Sequence, residues 1–392
     1  GHSFTFANTA KQTVLRIAVN ARFLIKGRLE GIGWYSYQVL KHMVGRHPEH
    51  EYLFFFDRPY DPEFVFNDSV TPIVLHPPAR HPILWYLWFE WAIPRALKRH
   101  RADVFFSPDG YGSMHTGIPQ YIVVHDLAFL HFPEQVPFWV RKYYQYFVPR
   151  HLRKAKRLFA VSQATKNDIV RQLGISSESI SIAYNGVREE FKPLDPMDCQ
   201  LVWKQYSQGQ PYFLYVGAIH PRKNIMSLIR AFDRFKRSSS SDIMLLLVGR
   251  KAWQNKELEQ AYENAEFKED ILFLPYLDTV ELAKVTGAAF AAVNPSWLEG
   301  FGVPILEALA CDVPVIVSSA FSLPEVGGPG ALLFDPASVE QLTHALALEA
   351  SGKDRQERIA LGRMHKKNFD WKQTSEAIYR AILGKSDIKK PE

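Results

Sequence analysis

Short apolar runs rich in β-branched and aromatic residues alternate with helix-like segments along the whole chain, and this rhythm constrains the fold more than any other feature. The runs in the first half are Leu15–Val19, Tyr52–Phe56, Val104–Phe106, Tyr121–Val124, Arg157–Val161 and Ser179–Ala183. Those in the second are Tyr212–Val216, Ile243–Val248, Ile271–Leu274, Ala288–Val293, Val313–Val317 and Ala331–Phe334. Strands that are apolar on both faces need cover on both faces, and parallel neighbours are joined by helical crossovers, so the expected class is α/β with parallel sheets. Twelve such runs exceed one comfortable sheet. The turn-rich stretch Phe191–Pro196, followed by Ser207–Pro211, marks a break near residues 190–210. The expectation is two Rossmann-like, doubly wound domains over residues 14–192 and 208–368, with 369–385 as a final amphipathic helix.

Charge is divided along the same line. The whole chain carries +6, but residues 1–190 hold 23 Lys/Arg against 16 Asp/Glu, net +7, and residues 191–392 hold 24 against 25, net −1. A basic half invites a nucleic-acid or membrane-surface partner. The basic residues are not arranged along a nucleic-acid-binding motif, so no nucleic-acid partner is expected. The cluster Arg150–Arg157, close to Trp139 and Tyr143–Tyr144, suits anionic lipid headgroups instead. Leu84–Pro94 is so uniformly apolar that core packing is expected. No run reaches the roughly 18 apolar residues of a spanning helix. Two cysteines, Cys199 and Cys311, form neither a disulfide scaffold nor a four-ligand zinc site. The expected setting is the cytoplasm, peripheral at the cytoplasmic face of a membrane.

Chemistry concentrates in two turns of the second half. After a strand ending near Asn294, the glycine-rich turn Glu299-Gly300-Phe301-Gly302 leads into a helix from Val303 or Pro304, with Glu307 one turn inside it. A helix N-terminus presents amides and a positive dipole end to a diphosphate, while two carboxylates grip neutral hydroxyls on either side. The other turn, from Tyr215 through Gly217 to Asn224, carries adjacent Arg222 and Lys223, a planar fork and a point charge suited to a leaving diphosphate. Neither turn is a Walker or dinucleotide motif, since GxxxxGK[ST] and GxGxxG are both missing.

Together these segments resemble the family-4 retaining glycosyltransferases, which have the GT-B fold. The likeness rests on Glu299-x7-Glu307 within EGFGVPILEALACDVPV and on VGAIHPRKN. Weaker pieces are Gly31-Ile32-Gly33-Trp34-Tyr35, Val124-His125-Asp126-Leu127, Ala160-Val161-Ser162 and Tyr184-Asn185-Gly186-Val187, all in family order over residues 14–383. By that resemblance Arg222 and Lys223 bind the donor diphosphate, and Gly217, Gly300, Phe301, Gly302 and Val303 bring backbone to it. Glu299 holds donor-sugar hydroxyls, Glu307 holds the ribose, and backbone near Tyr276 and Leu277 reads the base. Gly31 and Gly33 approach the diphosphate or acceptor, His125 stands at the reacting sugar, Ser162 touches the acceptor side, and Asp126 orients its loop. Where many members carry arginine after the first-turn glycine, this chain has Ala218, so the cationic load falls on Arg222 and Lys223. The turn Pro221–Asn224 together with Val248–Trp253 looks most like enzymes using GDP-mannose. The resemblance further implies two domains facing a cleft, with the last helix returning to the N-terminal domain.

The expected reaction moves a hexose from a nucleotide sugar to a saccharide or lipid-linked saccharide, with retention, in surface polysaccharide or glycolipid assembly. The sequence has no DxD metal site and no cofactor motif, so neither metal nor cofactor is expected and the cations and turn amides must neutralise the departing diphosphate. No carboxylate is a confident covalent nucleophile, which favours front-side, substrate-assisted transfer. A nucleotide-sugar epimerase of the same architecture is the alternative reading, and a non-enzymatic nucleic-acid binder a more distant one.

Overall fold

The structure is a computed structural model and describes residues 14–249 and 256–384. The segment Arg250–Trp253 thus lies outside the described residues. Among the described residues, thirteen strands form two sheets. The first contains β1 (Arg16–Asn20), β2 (Glu51–Phe56), β3 (Val70–Val74), β4 (Val104–Ser107), β5 (Gln120–Val124), β6 (Arg157–Ala160) and β7 (Ile180–Ile182), in the order β3-β2-β1-β4-β5-β6-β7. The second contains β8 (Tyr212–Val216), β9 (Met244–Val248), β10 (Ile271–Leu274), β11 (Ala291–Asn294), β12 (Val315–Ser318) and β13 (Leu332–Phe334), in the order β10-β9-β8-β11-β12-β13. Neighbouring strands run parallel, as the unbroken apolar runs require. In both sheets the strand order reverses beside the first strand, a switch point that leaves a crevice at the strands' carboxyl ends.

One strand was not legible. β3 carries Pro72 opposite Phe54, and a proline inside an apolar run argues against a central strand. β3 lies at the sheet edge, where the missing N–H costs no ladder bond. The supposed turn-rich linker also holds a helix, Pro196–Tyr206: Asp195 caps it by accepting from the Asp198 amide at 2.9 Å, and Pro196 takes the first-turn position.

The described chain divides into two compact units. The first takes in residues 14–123, 138–158 and 379–384, the second 124–137 and 159–378. The first has a core of Leu53, Phe55, Phe105, Trp88 and Phe89, the second one of Phe213, Leu245, Val293 and Ile316 with the amphipathic helix Ile225–Ser238 against them. Segment 124–137 falls in the second unit because the backbone after β5 is held there, as described below. The helix Trp371–Ile382 begins in the second unit, where Thr374 Oγ1 donates to the Tyr184 carbonyl at 2.7 Å. Its last residues belong to the first, where the Tyr379 ring stacks on His47 at 3.5 Å and its hydroxyl lies 2.7 Å from His50 Nε2. Leu84–Pro94 is only partly core: Trp88 and Phe89 are buried, whereas Tyr86 and Trp91 are exposed. A π-helical turn at Trp88–Ala92 rotates the helix face, so hydrophobicity alone could not assign inward and outward positions.

Candidate functional site

Two turns in the second unit, one after β8 and one after β11, are tied together by backbone. The Trp297 amide donates to the Arg222 carbonyl at 2.9 Å, and Asn224 Nδ2 donates to the carbonyls of Pro295 and Pro336 at 3.0 and 2.9 Å. Asn224 is buried and left-handed, φ 58°, between the short helical turn Pro221–Lys223 and the helix Ile225–Ser238. Serine hydroxyls lock the second turn from behind. Ser318 Oγ donates to the Ser296 carbonyl at 2.6 Å, and Ser322 Oγ reaches the carbonyls of Glu299 and Phe301 at 2.6 and 2.9 Å. A turn held by its carbonyls keeps its amides fixed in direction, which is the preorganisation an anion site needs.

The charged groups meet across these turns. Lys223 Nζ lies 2.5 Å from Glu299 Oε1, which also accepts from Ser296 Oγ at 2.9 Å and Asn294 Nδ2 at 3.4 Å. Arg222 Nη1 donates to the Leu298 carbonyl at 3.0 Å. Burial would raise the Glu299 carboxyl, but the Lys223 charge and hydrogen bond, with Arg222 and Ser296, hold it below the usual carboxylate value. It is therefore an ionised acceptor at neutral pH. His220, one residue before the cationic turn, has its ring pushed towards the neutral form by burial and then by the charges of Arg222 and Lys223. Its buried Nδ1 has no hydrogen-bond partner among the described residues.

Two glycines are demanded by geometry. A Cβ on Gly300 would stand 1.8 Å from the His125 carbonyl oxygen, so only glycine allows these backbones to touch. Gly302, φ 98°, precedes the helix Val303–Ala310, whose N-terminus no side chain caps. The approach of His125 is clamped by hydroxyls: Ser162 Oγ and Thr165 Oγ1 donate to the Gly300 carbonyl at 2.7 and 3.2 Å, and Thr165 Oγ1 reaches the His125 carbonyl at 3.4 Å. Asp126 Oδ1 accepts from the Ala128 amide at 2.9 Å and so shapes the loop. Phe301 is buried beside Tyr184 and Phe369, so its side chain anchors the turn while its backbone remains the part available to a ligand.

Glu307 sits differently. Its carboxylate is paired with Arg188, Nε to Oε1 at 2.7 Å and Nη2 to Oε1 at 2.6 Å, and Arg188 also donates to Thr279 Oγ1 at 3.3 Å. Burial pushes the Glu307 carboxyl up to about 7, with Arg188 pulling it down. A ribose at Glu307 would have to share this carboxylate with the guanidinium.

The structure thus joins Arg222, Lys223, Glu299 and the Gly300–Val303 turn, with the backbone of His125 against Gly300. Gly217 directly follows β8 at the first turn, Tyr276 is exposed and Leu277 half-buried in the loop after β10, and Gly31 and Gly33 belong to the first unit, at the start of the helix Ile32–Arg46. Sequence reasoning missed Arg188, His220 and Glu325. Glu325 accepts from the Gln163 amide at 2.9 Å and the Tyr184 hydroxyl at 2.7 Å, fixing the start of the helix Gln163–Leu173 that carries Thr165. Only His220 had a local signal, its place immediately before the PRKN turn.

Residues 203–362 match the family described as glycosyl transferases group 1, and residues 29–191 match glycosyltransferase family 4. An O-antigen chain mannosyltransferase B of Escherichia coli is 30% identical over 363 residues, 88% of this chain and 94% of that one. An O-antigen chain mannosyltransferase RfbU of Salmonella typhimurium is 29% identical over 300 residues, 73% and 77% of the two chains. Among solved structures, WaaG, a glycosyltransferase involved in lipopolysaccharide biosynthesis, superposes with a TM-score of 0.73 at 15% identity, covering 94% of this chain and 100% of WaaG.

Proposed function

The chain belongs to the family-4 glycosyltransferases with the GT-B fold, and from that premise we propose that it moves mannose from GDP-mannose to a saccharide or lipid-linked saccharide acceptor during O-antigen or related lipopolysaccharide assembly. The observation that carries the site assignment is the Lys223–Glu299 pair at 2.5 Å across two interlocked turns. Mannose as the sugar is supported by the two mannosyltransferase relatives and by the PRKN turn.

Transfer proceeds on one face of the sugar. The bond between the anomeric carbon and the phosphate oxygen breaks, the acceptor oxygen bonds to that carbon, and its proton passes to the departing phosphate oxygen. Arg222, Lys223 and the amides of Gly300–Val303 hold the charge that builds on the diphosphate, so no divalent cation is required. Glu299, ionised, accepts from donor-sugar hydroxyls, Glu307 from the ribose, and His125 faces the reacting sugar. Backbone by Tyr276 and Leu277 reads the base, and Gly31 and Gly33 border the diphosphate or acceptor. Exposed Phe138, Trp139 and Tyr146 on the helix Phe138–Lys154, with Arg150 over the Tyr146 ring at 3.7 Å, give the enzyme a contact with an anionic membrane surface. No helix among the described residues is long and apolar enough to cross the membrane.

A thermal-shift panel of GDP, UDP and ADP and their hexose conjugates in EDTA tests the donor, with GDP and GDP-mannose expected to stabilise most. NMR of the product tests the anomeric outcome. Stabilisation by another base alone, strict dependence on added metal, or inversion at the anomeric carbon contradicts the corresponding part. Epimerised sugar formed from donor alone would favour an epimerase.

A further inference from the structure

A cavity of about 520 Å³ in the first unit has no part in the donor chemistry above. Its lining comes from the segments that follow β1, β2, β3 and β4, with one ring from the helix Phe138–Lys154, so it opens at the carboxyl ends of the parallel strands. β1 and β4 flank the point where the strand order reverses, the place where open α/β sheets bind ligands. A smaller recess of about 260 Å³ shares Ile25 and Arg58 with it. The volume is that of a small-molecule site rather than of a packing defect.

Four arginines, Arg22, Arg28, Arg58 and Arg80, line the cavity against one carboxylate, Asp57. Two of them are neutralised locally. Arg22 is buried, bonded through Nε to Asp109 Oδ2 at 2.6 Å, and lies 4.7 Å from the Tyr111 ring centre. Asp109 is in turn held by Ser107, which accepts from Asn20, so a buried polar chain fixes the guanidinium in place. Arg58 is bonded twice to Asp57, whose Oδ2 also accepts from the Ala79 amide. Arg28 and Arg80 are exposed and have no carboxylate partner among the described residues. One wall is aromatic: Trp85 and Tyr144 lie parallel, 6° apart with centres at 5.8 Å, and Trp85 Nε1 donates to the Ala79 carbonyl at 2.9 Å.

Cations without partners beside a fixed aromatic wall call for a ligand with concentrated negative charge next to an apolar face. With Arg22 paired to Asp109 and Arg58 to Asp57, Arg28 and Arg80 leave +2 uncompensated; a single carboxylate would balance half of it, whereas a phosphoryl dianion or a diphosphoryl group matches it. We propose that this cavity is a phosphoryl-binding subsite for the acceptor, with Arg28 and Arg80 as its charge-bearing ligands and Trp85 and Tyr144 as the platform for the group the phosphate carries. The proposal rests on the chain being a glycosyltransferase with a charged acceptor. The same chemistry is offered by a free sugar phosphate and by a diphosphate-linked lipid.

The test is calorimetric titration of the full chain at low salt, in an Arg222→Ala/Lys223→Ala background that removes the donor cations. Inorganic pyrophosphate should bind there, and adding Arg28→Gln/Arg80→Gln should weaken it tenfold or more, as expected for the loss of charge-assisted bonds. The exposed pair Arg46→Gln/Arg99→Gln, equal in charge change, should alter it less than threefold. Equal weakening by both pairs, or none by either, overturns the subsite. Glucose 1-phosphate and geranyl diphosphate should each lose affinity with Arg28→Gln/Arg80→Gln, the tighter of the two naming the source as sugar phosphate or lipid diphosphate. Glucuronate binding as tightly as glucose 1-phosphate overturns the phosphoryl assignment. GDP binding to the chain with Arg222 and Lys223 intact is a separate readout: its failure indicts the donor reading, and its persistence confines any failure to this cavity.

Discussion

Lys223 and Arg80 are both cations beyond the carboxyl ends of parallel strands, yet Lys223 finds a carboxylate 2.5 Å away inside its own site, while Arg80 has none among the described residues. The half of the chain that holds Lys223 carries net −1 and the half that holds Arg80 carries +7. The contrast separates two ways of preparing an anion site. In the second unit the cations are prepaired and oriented, so a diphosphate must compete with Glu299 but meets groups already in place. Of the four arginines lining the cavity of the first unit, only Arg22 and Arg58 are prepaired, and the charge of Arg28 and Arg80 waits for a ligand.

The largest effect should come from the prepaired cluster. Arg222→Ala or Lys223→Ala should lower turnover about 10²- to 10³-fold, roughly 3–4 kcal/mol of transition-state stabilisation, while the melting temperature falls only a few degrees. Near-normal turnover in both variants would remove the donor role. Gly300→Ala comes next, because its methyl would sit 1.8 Å from the His125 carbonyl. Turnover and melting temperature should drop together, and an unchanged melting temperature would show that the two backbones are not held in contact. In the first unit, Arg28→Gln/Arg80→Gln should raise acceptor KM about tenfold and leave donor KM unchanged, which sharpens the contrast if both measurements agree.

A pH series addresses Glu307. Its carboxyl, raised from 4.5 to about 7 in the folded protein, binds more protons folded than unfolded between those values, so its contribution to stability is lost as pH rises through that window. Wild type should therefore lose stability from about pH 5 to 8 more steeply than Glu307→Gln in parallel denaturant titrations. Equal slopes would mean that Arg188 keeps the carboxylate ionised throughout. The smallest effect belongs to Tyr184→Phe, which removes one hydrogen bond to Glu325 and should cost about 1 kcal/mol in the same titrations, with little change in turnover.

What the sequence made legible was what lies close along the chain. β8 and β11 are unbroken apolar runs, and each is followed within a few residues by the turn that carries its charges. β3 hid behind Pro72, and the helix Pro196–Tyr206 behind an Asp-Pro pair that reads as a turn although it is also a cap followed by a first-turn proline. The Arg188–Glu307 pair spans 119 residues and Tyr184–Glu325 spans 141, so no local pattern announces either. The arginine cavity draws on residues from Arg22 to Tyr144, and composition showed only its charge surplus. Local chemistry can be read from spacing, whereas a site assembled by strand order needs the sheet.

The central claim is that the two basic sites serve different ligands, and it is tested most directly by titrating GDP into three forms of the full chain. GDP affinity should fall at least tenfold in Arg222→Ala/Lys223→Ala and stay within twofold of wild type in Arg28→Gln/Arg80→Gln. A loss in the second variant as large as in the first, or no loss in the first, would contradict the division of labour between the units.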